Sequence, residues 1–241
     1  MKRLTIVFFI IIFFSSLSAI AQQKPPSFIG INGGVSLPMG NWSKTDYDDV
    51  KSGFAAVGPQ FSLDGAYFFS KHIGVGGLVN YSTYKTKDIE KISAGFLEAF
   101  EADQATTTAG RYELWNFMPG LYFNFPVSKV AITARALAGF THATTPHIAV
   151  NLVADDKDDG TMEQEKSTAN SFGFDLGAGV SYPVIPKLAI NLRADYFYSD
   201  PDFKISNTNR QNNAGRLVSE YHQPLTGINI SLGIAYRFSR K

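Results

Sequence analysis

The chain has no cysteine. That excludes a disulfide framework, a thiolate metal site and a lipid anchor on a cysteine, so whatever holds the fold together is noncovalent. It lacks an excess of charge of either sign, with 22 Lys and Arg against 21 Asp and Glu. No basic field for nucleic acid follows from such a balance. It also lacks an apolar run of the roughly 20 residues that a spanning helix requires. The longest, Leu4 to Phe14, contains Thr5 and is soon followed by Ser15, Ser16 and Ser18. Finally, no composition shift or linker marks a second domain.

What the first residues do contain is an export signal. Met1-Lys2-Arg3 is positive, Leu4 to Phe14 is apolar, and Ala19-Ile20-Ala21 is a small-x-small cleavage site. Residues 1–21 are therefore expected to be a signal peptide, 22–26 a short periplasmic lead-in, and 27–241 one domain. Without Lys2 and Arg3 the balance becomes 20 basic to 21 acidic residues, a net charge of −1.

Within that domain the dominant pattern has a period of two. From Thr226 to Phe238 the positions Ile228, Ile230, Leu232, Ile234, Tyr236 and Phe238 alternate with Gly227, Asn229, Ser231, Gly233, Ala235 and Arg237. Such a segment is a strand with one oily face and one small, polar face. Seven further segments alternate in the same way: 27–37, 59–69, 73–84, 112–125, 130–144, 171–182 and 188–199. The poorest match is 130–144, where Leu137 shares the polar face with Arg135. The connections alternate short and long. Tight turns fall at 70–72, 126–129 and 183–187, and Lys71, Lys129 and Lys187 recur at intervals of 58 residues. The long connections are 38–58, 85–111, 145–170 and 200–225, lengths uncommon in compact domains unless they serve a function. The arrangement predicts an all-β, eight-stranded, antiparallel up-and-down barrel.

Two observations make the oily face the outer one. Only seven charges fall in the eight segments: Asp64, Glu113, Arg135, Asp175, Arg193, Asp195 and Arg237. A face of Gly, Ala, Ser and Asn with so few charges suits a lumen; a water-facing exterior carries many. The aromatics of oily parity also gather in two bands. Tyr67, Phe69, Phe123, Phe125, Tyr182, Tyr236 and Phe238 lie at the short-turn end. Tyr81, Trp115, Phe140, Phe172, Phe174, Tyr196 and Tyr198 lie near the long connections. These are the interfacial girdles of a transmembrane β-barrel.

On these residues the chain resembles the small outer-membrane β-barrel family, the OmpA/OmpX-type transmembrane domains and their porin-family relatives. The resemblance implies a Gram-negative outer-membrane location, with short turns in the periplasm and four long loops outside. It implies contact with outer-membrane lipid and lipopolysaccharide. It also implies recognition by the barrel-assembly machinery of a terminal aromatic, here Tyr236 and Phe238, although Ser239-Arg240-Lys241 follow them. A barrel of eight strands has an interior just wide enough for its own side chains. The inward charges Asp64, Asp175 and Asp195 are expected to pair with Arg135, Arg193 and Arg237, because a bare charge in a low-dielectric lumen is costly.

Candidate chemistry outside the lumen is sparse. The histidines His72, His142, His147 and His222 form no nucleophile-base spacing on a strand. Ser219, Glu220 and His222 supply triad residue types on a segment without a scaffold. Aligned on Gly160 as a calcium loop, Asp155-Asp156-Lys157-Asp158-Asp159-Gly160 places Lys157 and Lys166 where carboxylates are needed. Ile89, Ile92, Phe96 and Phe100 recur near helical spacing with Asp88 at the N-cap position, which predicts a short amphipathic helix. No cofactor and no metal is expected. The expected role is a noncatalytic barrel with a filled lumen and a loop platform for structural, adhesive or protective interactions. The alternatives left by the residues are a narrow channel or carrier for small solutes or apolar ligands and, beyond it, a surface lipid-modifying enzyme.

Overall fold

The structure, a computed structural model, describes residues 25–154, 157–209 and 217–238. The predicted signal peptide, Asp155, Asp156 and the three residues after Phe238 lie outside these. In chain order the elements are β1 (Ser27–Pro38), a 3-10 turn (Gly40–Ser43), β2 (Gly58–Phe68), β3 (Ile73–Lys85), α1 (Ile89–Phe100), β4 (Gln104–Ala109) and β5 (Arg111–Val127). There follow β6 (Val130–Thr144), β7 (Ile148–Ala154), β8 (Lys157–Gln164), β9 (Thr168–Ile185), β10 (Leu188–Ser199), β11 (Asp202–Asn209), β12 (Leu217–His222) and β13 (Leu225–Phe238).

Eight of the strands close into an antiparallel barrel in the order β1-β13-β10-β9-β6-β5-β3-β2. Closure comes from β1, which pairs with β2 on one side and with β13 on the other, Ser27 opposite Phe238 and Pro38 opposite Gly227. No edge strand is left in the wall, as a bilayer requires. Two short turns are tighter than the alternation suggests. Val127 pairs with Val130 and Ile185 with Leu188, which leaves Ser128-Lys129 and Pro186-Lys187 as the turns.

The wall is oily outside. Ile31, Phe61, Phe140, Phe172 and Leu232 are each at least 60% exposed, an arrangement that makes sense only against lipid. The opposite parity is buried: Asn32, Asp64, Asn116, Arg135, Asp175, Arg193, Asp195 and Ser231 are all less than 9% exposed.

The long connections depart from the expectation of loops. Strands β4, β7, β8, β11 and β12, drawn from the second, third and fourth connections, form a separate antiparallel sheet in the order β12-β11-β8-β7-β4. Two hairpins, β7–β8 and β11–β12, are joined where Asn207 pairs with Gln164. The predicted helix forms as α1, with Ile92 buried against Phe54, Val150 and Leu152. Asp88 occupies the N-cap position, yet it has a left-handed φ of 49° and its side chain makes no cap bond. Its carboxylate instead lies 3.5 Å from Lys91.

Candidate functional site

The first candidate is the barrel lumen, which holds two apolar clusters, a set of buried charges and, at the short-turn end, a cavity of about 270 Å³. From the short-turn end to the middle of the wall Phe28, Phe68, Leu78, Met118, Tyr122 and Leu137 pack together. At the end bearing the long connections a second cluster closes the mouth. There the 3-10 turn carries Trp42 to zero exposure, edge-on to Tyr84 at 4.5 Å, to Tyr112 at 5.9 Å and to Phe197 at 6.1 Å. Such aromatic pairs contribute about 0.5–1.5 kcal/mol each beyond area burial. Gly53 is required here, since a Cβ on it would come within 2.6 Å of the Trp42 carbonyl oxygen. The freed approach lets the Tyr112 hydroxyl donate to the Gly53 carbonyl at 2.8 Å.

Five charges share the lumen with these clusters, Asp64 in register with Leu78 and Asp175 with Leu137. The Arg135 guanidinium reaches Asp195 at 2.8 Å, Asp175 at 3.3 Å and Asp64 at 3.4 Å. Arg193 donates to the same Asp64 oxygen and lies 5.4 Å from the centre of the Phe28 ring. Asn32 donates to the other Asp64 oxygen at 3.0 Å. A carboxylate and a guanidinium each lose several kcal/mol of hydration on burial, and dense mutual pairing offsets that. Arg237 does not join the five. It lies at the rim of the short-turn end, opposite Phe28 in the ladder and only half-buried, where water can solvate it. The cluster is therefore three carboxylates to two guanidiniums, not three to three.

The inward glycines serve this cluster. A Cβ on Gly177 would come within 1.7 Å of an Asp195 carboxylate oxygen, and one on Gly179 within 2.7 Å of Arg193 Cγ. A Cβ on Gly233 would come within 2.1 Å of the Asn32 side-chain oxygen. The space that glycine vacates is filled by the side chains of the opposite strand.

The aromatics of the short-turn band face outward: Tyr67, Phe69, Phe125, Tyr182, Tyr236 and Phe238 are exposed, and Phe123 is half-exposed. In the other band Trp115, Phe140, Phe172 and Tyr196 are exposed.

The second candidate is absent from the sequence reading. A cavity of about 730 Å³ lies between the first long connection, α1 and the inner face of the second sheet. Phe54, Ile92, Val150 and Met162 give it an apolar floor. Tyr47, Phe96, Tyr112 and Tyr221 supply aromatic surface. Tyr47 packs edge-on to Phe96 at 5.5 Å, a position open only because residue 95 is glycine, where a Cβ would come within 2.2 Å of the Tyr47 ring. Burial pushes the Tyr221 hydroxyl up to about 12, with the nearby Asp49 charge adding to it, so it stays protonated. Alternating runs such as Ile148-x-Val150-x-Leu152 and Phe203-x-Ile205 carry the signal that could have located these strands.

Three of the four histidines take structural places, and His147 contributes its backbone carbonyl to Gly110. His72 Nδ1 is 2.9 Å from the Asn124 carbonyl oxygen and its ring stacks on Phe125. His142 Nδ1 is 2.8 Å from the Asn170 side-chain oxygen. His222 is held on both ring nitrogens, Nδ1 at 2.7 Å from Asp202 and Nε2 at 3.0 Å from Asp200. Its pKa is raised, first by the Asp202 bond and then by the Asp200 charge. Strand alternation puts Ser219 on the face of β12 opposite to His222, so the triad types do not converge. Among the described residues no group of three His, Asp or Glu side chains is placed to hold a metal.

The family model for the outer membrane protein beta-barrel domain matches residues 7–238. Among solved structures the chain is similar to Neisserial surface protein A, at 13% identity over 88% of this chain and 97% of that one, with a TM-score of 0.45. It is similar to Ail, the attachment invasion locus protein of Yersinia pestis, at 15% identity over 90% and 100%, TM-score 0.44. A major outer membrane protein from Thermus thermophilus gives 13% identity over 88% and 99%, TM-score 0.47. Likenesses of this degree bear on neither ligand nor partner. No curated protein matches the chain by sequence.

Proposed function

The chain belongs to the outer membrane protein beta-barrel domain family and resides in the bacterial outer membrane, and on that premise we propose that it is a noncatalytic, non-conducting barrel whose second sheet is its working surface. The observation that carries this reading is the blocked long-connection half of the lumen, where the Trp42 cluster closes the mouth above the paired charges; the short-turn half keeps a cavity of about 270 Å³ that reaches Arg135, Arg193 and Asp195. A permeating ion would have to pass the Trp42 cluster and then the five paired charges. A conducting path motivated by glycine would need room at Gly177, Gly179 and Gly233, and side chains occupy that room.

In this reading the charge cluster is structural and satisfies the polar interior. The two aromatic bands mark the bilayer boundaries, the short turns face the periplasm, and the second sheet stands outside among lipopolysaccharide. Tyr236 and Phe238 serve as the assembly signal, and the signal peptide is removed before Gln22. The noncatalytic part is supported by the engagement of two histidines, His222 by two carboxylates and His142 by an amide.

Single-channel recording of the purified chain in planar bilayers tests the proposal. Silent membranes are expected at protein levels where insertion is verified by heat-modifiable migration. Steady ohmic steps from the wild-type chain would overturn it.

A further inference from the structure

We propose that the cavity under the second sheet is a binding site for a small, uncharged, largely apolar molecule. It deepens the reading of this sheet as the working surface, and it is independent of whether the lumen is closed.

The size fits first. A volume of about 730 Å³ falls within the range of small-molecule sites, roughly 300–1,000 Å³. The lining then selects the chemistry. In the sheet, Val150, Met162, Gln164, Ile205 and Asn207 share the inner parity. Glu163 and Glu220 border the cavity, but with Lys204 they stand at strand positions of the opposite parity. The carboxylate of Asp49, on the rim, is taken by Lys44 at 3.1 Å. Among the described residues no Lys, Arg or His lines the cavity. An anion would therefore find no cation among the described lining residues, and a cation would find no carboxylate at the inner-parity positions of the sheet. What the inner face does offer is an amide pair, Gln164 directly opposite Asn207, beside an apolar floor. That pair can donate to and accept from one uncharged polar group, such as a hydroxyl or an amide, while aromatic and aliphatic side chains cover the apolar body.

The site is also built in advance. α1, β4 and β7 fix its floor through a core of their own, with Ile92, Val150 and Leu152 each at most 6% exposed. The rim residues Val50 and Ser219 are exposed, so bulk can be added there without disturbing that core.

The test uses the full chain in lipid nanodiscs, with empty nanodiscs as the reference for lipid uptake. Three fluorescent probes share one apolar body and differ in charge: 1-pyrenemethanol, 1-pyrenemethylamine and 1-pyrenecarboxylate. Saturable binding of one 1-pyrenemethanol per chain is expected, at least tenfold tighter than either ion after the reference is subtracted. Ser219→Trp and Val50→Trp should each weaken it at least tenfold while heat-modifiable migration is retained. Gln164→Glu should shift the preference to 1-pyrenemethylamine by a similar factor. Uptake that follows lipid content alone, or is unchanged in both tryptophan variants, overturns the proposal, as does tightest binding of the carboxylate. Failure here leaves the conductance result intact, and steady conductance leaves this binding result to be read on its own.

Discussion

The barrel wall and the second sheet are built from the same residue types with opposite orientation. In the wall, Ile31 and Leu232 face outward while Asp64, Arg135 and Asp195 are enclosed. In the second sheet, Val150 and Leu152 are buried against Ile92 and Phe54, while Lys204 and Glu220 are exposed. A period of two is identical in both, and only the surroundings decide which face is inner. The lesson is that alternation locates a strand, whereas the distribution of charge and glycine identifies its solvent. The wall surrounds its charges with glycine; the second sheet keeps its charges in water.

Mutations that remove core contacts should therefore act in different currencies in the two regions. The largest effect is expected from Arg135→Met, which leaves Asp175 and Asp195 without their cation. Loss of one partner from a buried ion network costs about 3–5 kcal/mol, measurable as a drop in urea stability of the barrel in lipid vesicles. In the second sheet, Leu152→Ala should cost about 2–5 kcal/mol. Hydrogen exchange should rise throughout β7 and β8 while β5, β6, β9 and β10 keep their protection.

Glycine draws the contrast more finely. Gly177→Ala drives a Cβ into the Asp195 carboxylate and should destabilise the barrel by about 1–3 kcal/mol, the usual range for overpacking. A Cβ on Gly33 meets only the Phe61 ring at ordinary contact, 3.5 Å. Gly33→Ala should stay within about 0.5 kcal/mol of wild type.

The smallest effect concerns pH and is confined to the second sheet. The imidazole of His222, held by Asp202 and Asp200, has a raised pKa in the fold, so the protonated ring favours the folded hairpin. That contribution is fully present below the unfolded value of about 6.5 and is lost as pH rises through the higher folded value. Amides of residues 217–222 should exchange faster at about pH 8.5 than at about pH 5.5 after correction for intrinsic rates. His222→Gln should abolish the difference.

Much of this architecture was legible in the residues, for reasons that differ between the two regions. Each barrel strand carries an uninterrupted oily parity, and β6, β10 and β13 match their alternating runs to within one residue. The strands β5 and β9 run on into Pro126-Val127 and Pro183–Ile185, because hairpin pairing continues past the proline that reads locally as a turn. Parity also placed five lumen charges on one side of the wall. It could not show that Arg237, one residue from the end of β13, would fall at the rim. The second sheet escaped notice because its evidence is weak locally and distant globally. The Thr106-Thr107-Thr108 run of β4 has almost no contrast between faces. The Gln164 to Asn207 pairing joins two connections separated by β9 and β10, which no local pattern encodes. The cavity inherits that difficulty, since its walls come from all four long connections.

The lack of native cysteine makes the central claim, that the oily face of the wall meets lipid and the charged face is enclosed, directly measurable. Single cysteines placed in turn from Asn229 to Ile234 would carry a nitroxide label, and its collisions with oxygen and with a water-soluble nickel chelate would be recorded in vesicles. The account predicts high oxygen access at 230, 232 and 234 and low access at 229, 231 and 233. The reverse alternation, or nickel access at Leu232, would contradict it.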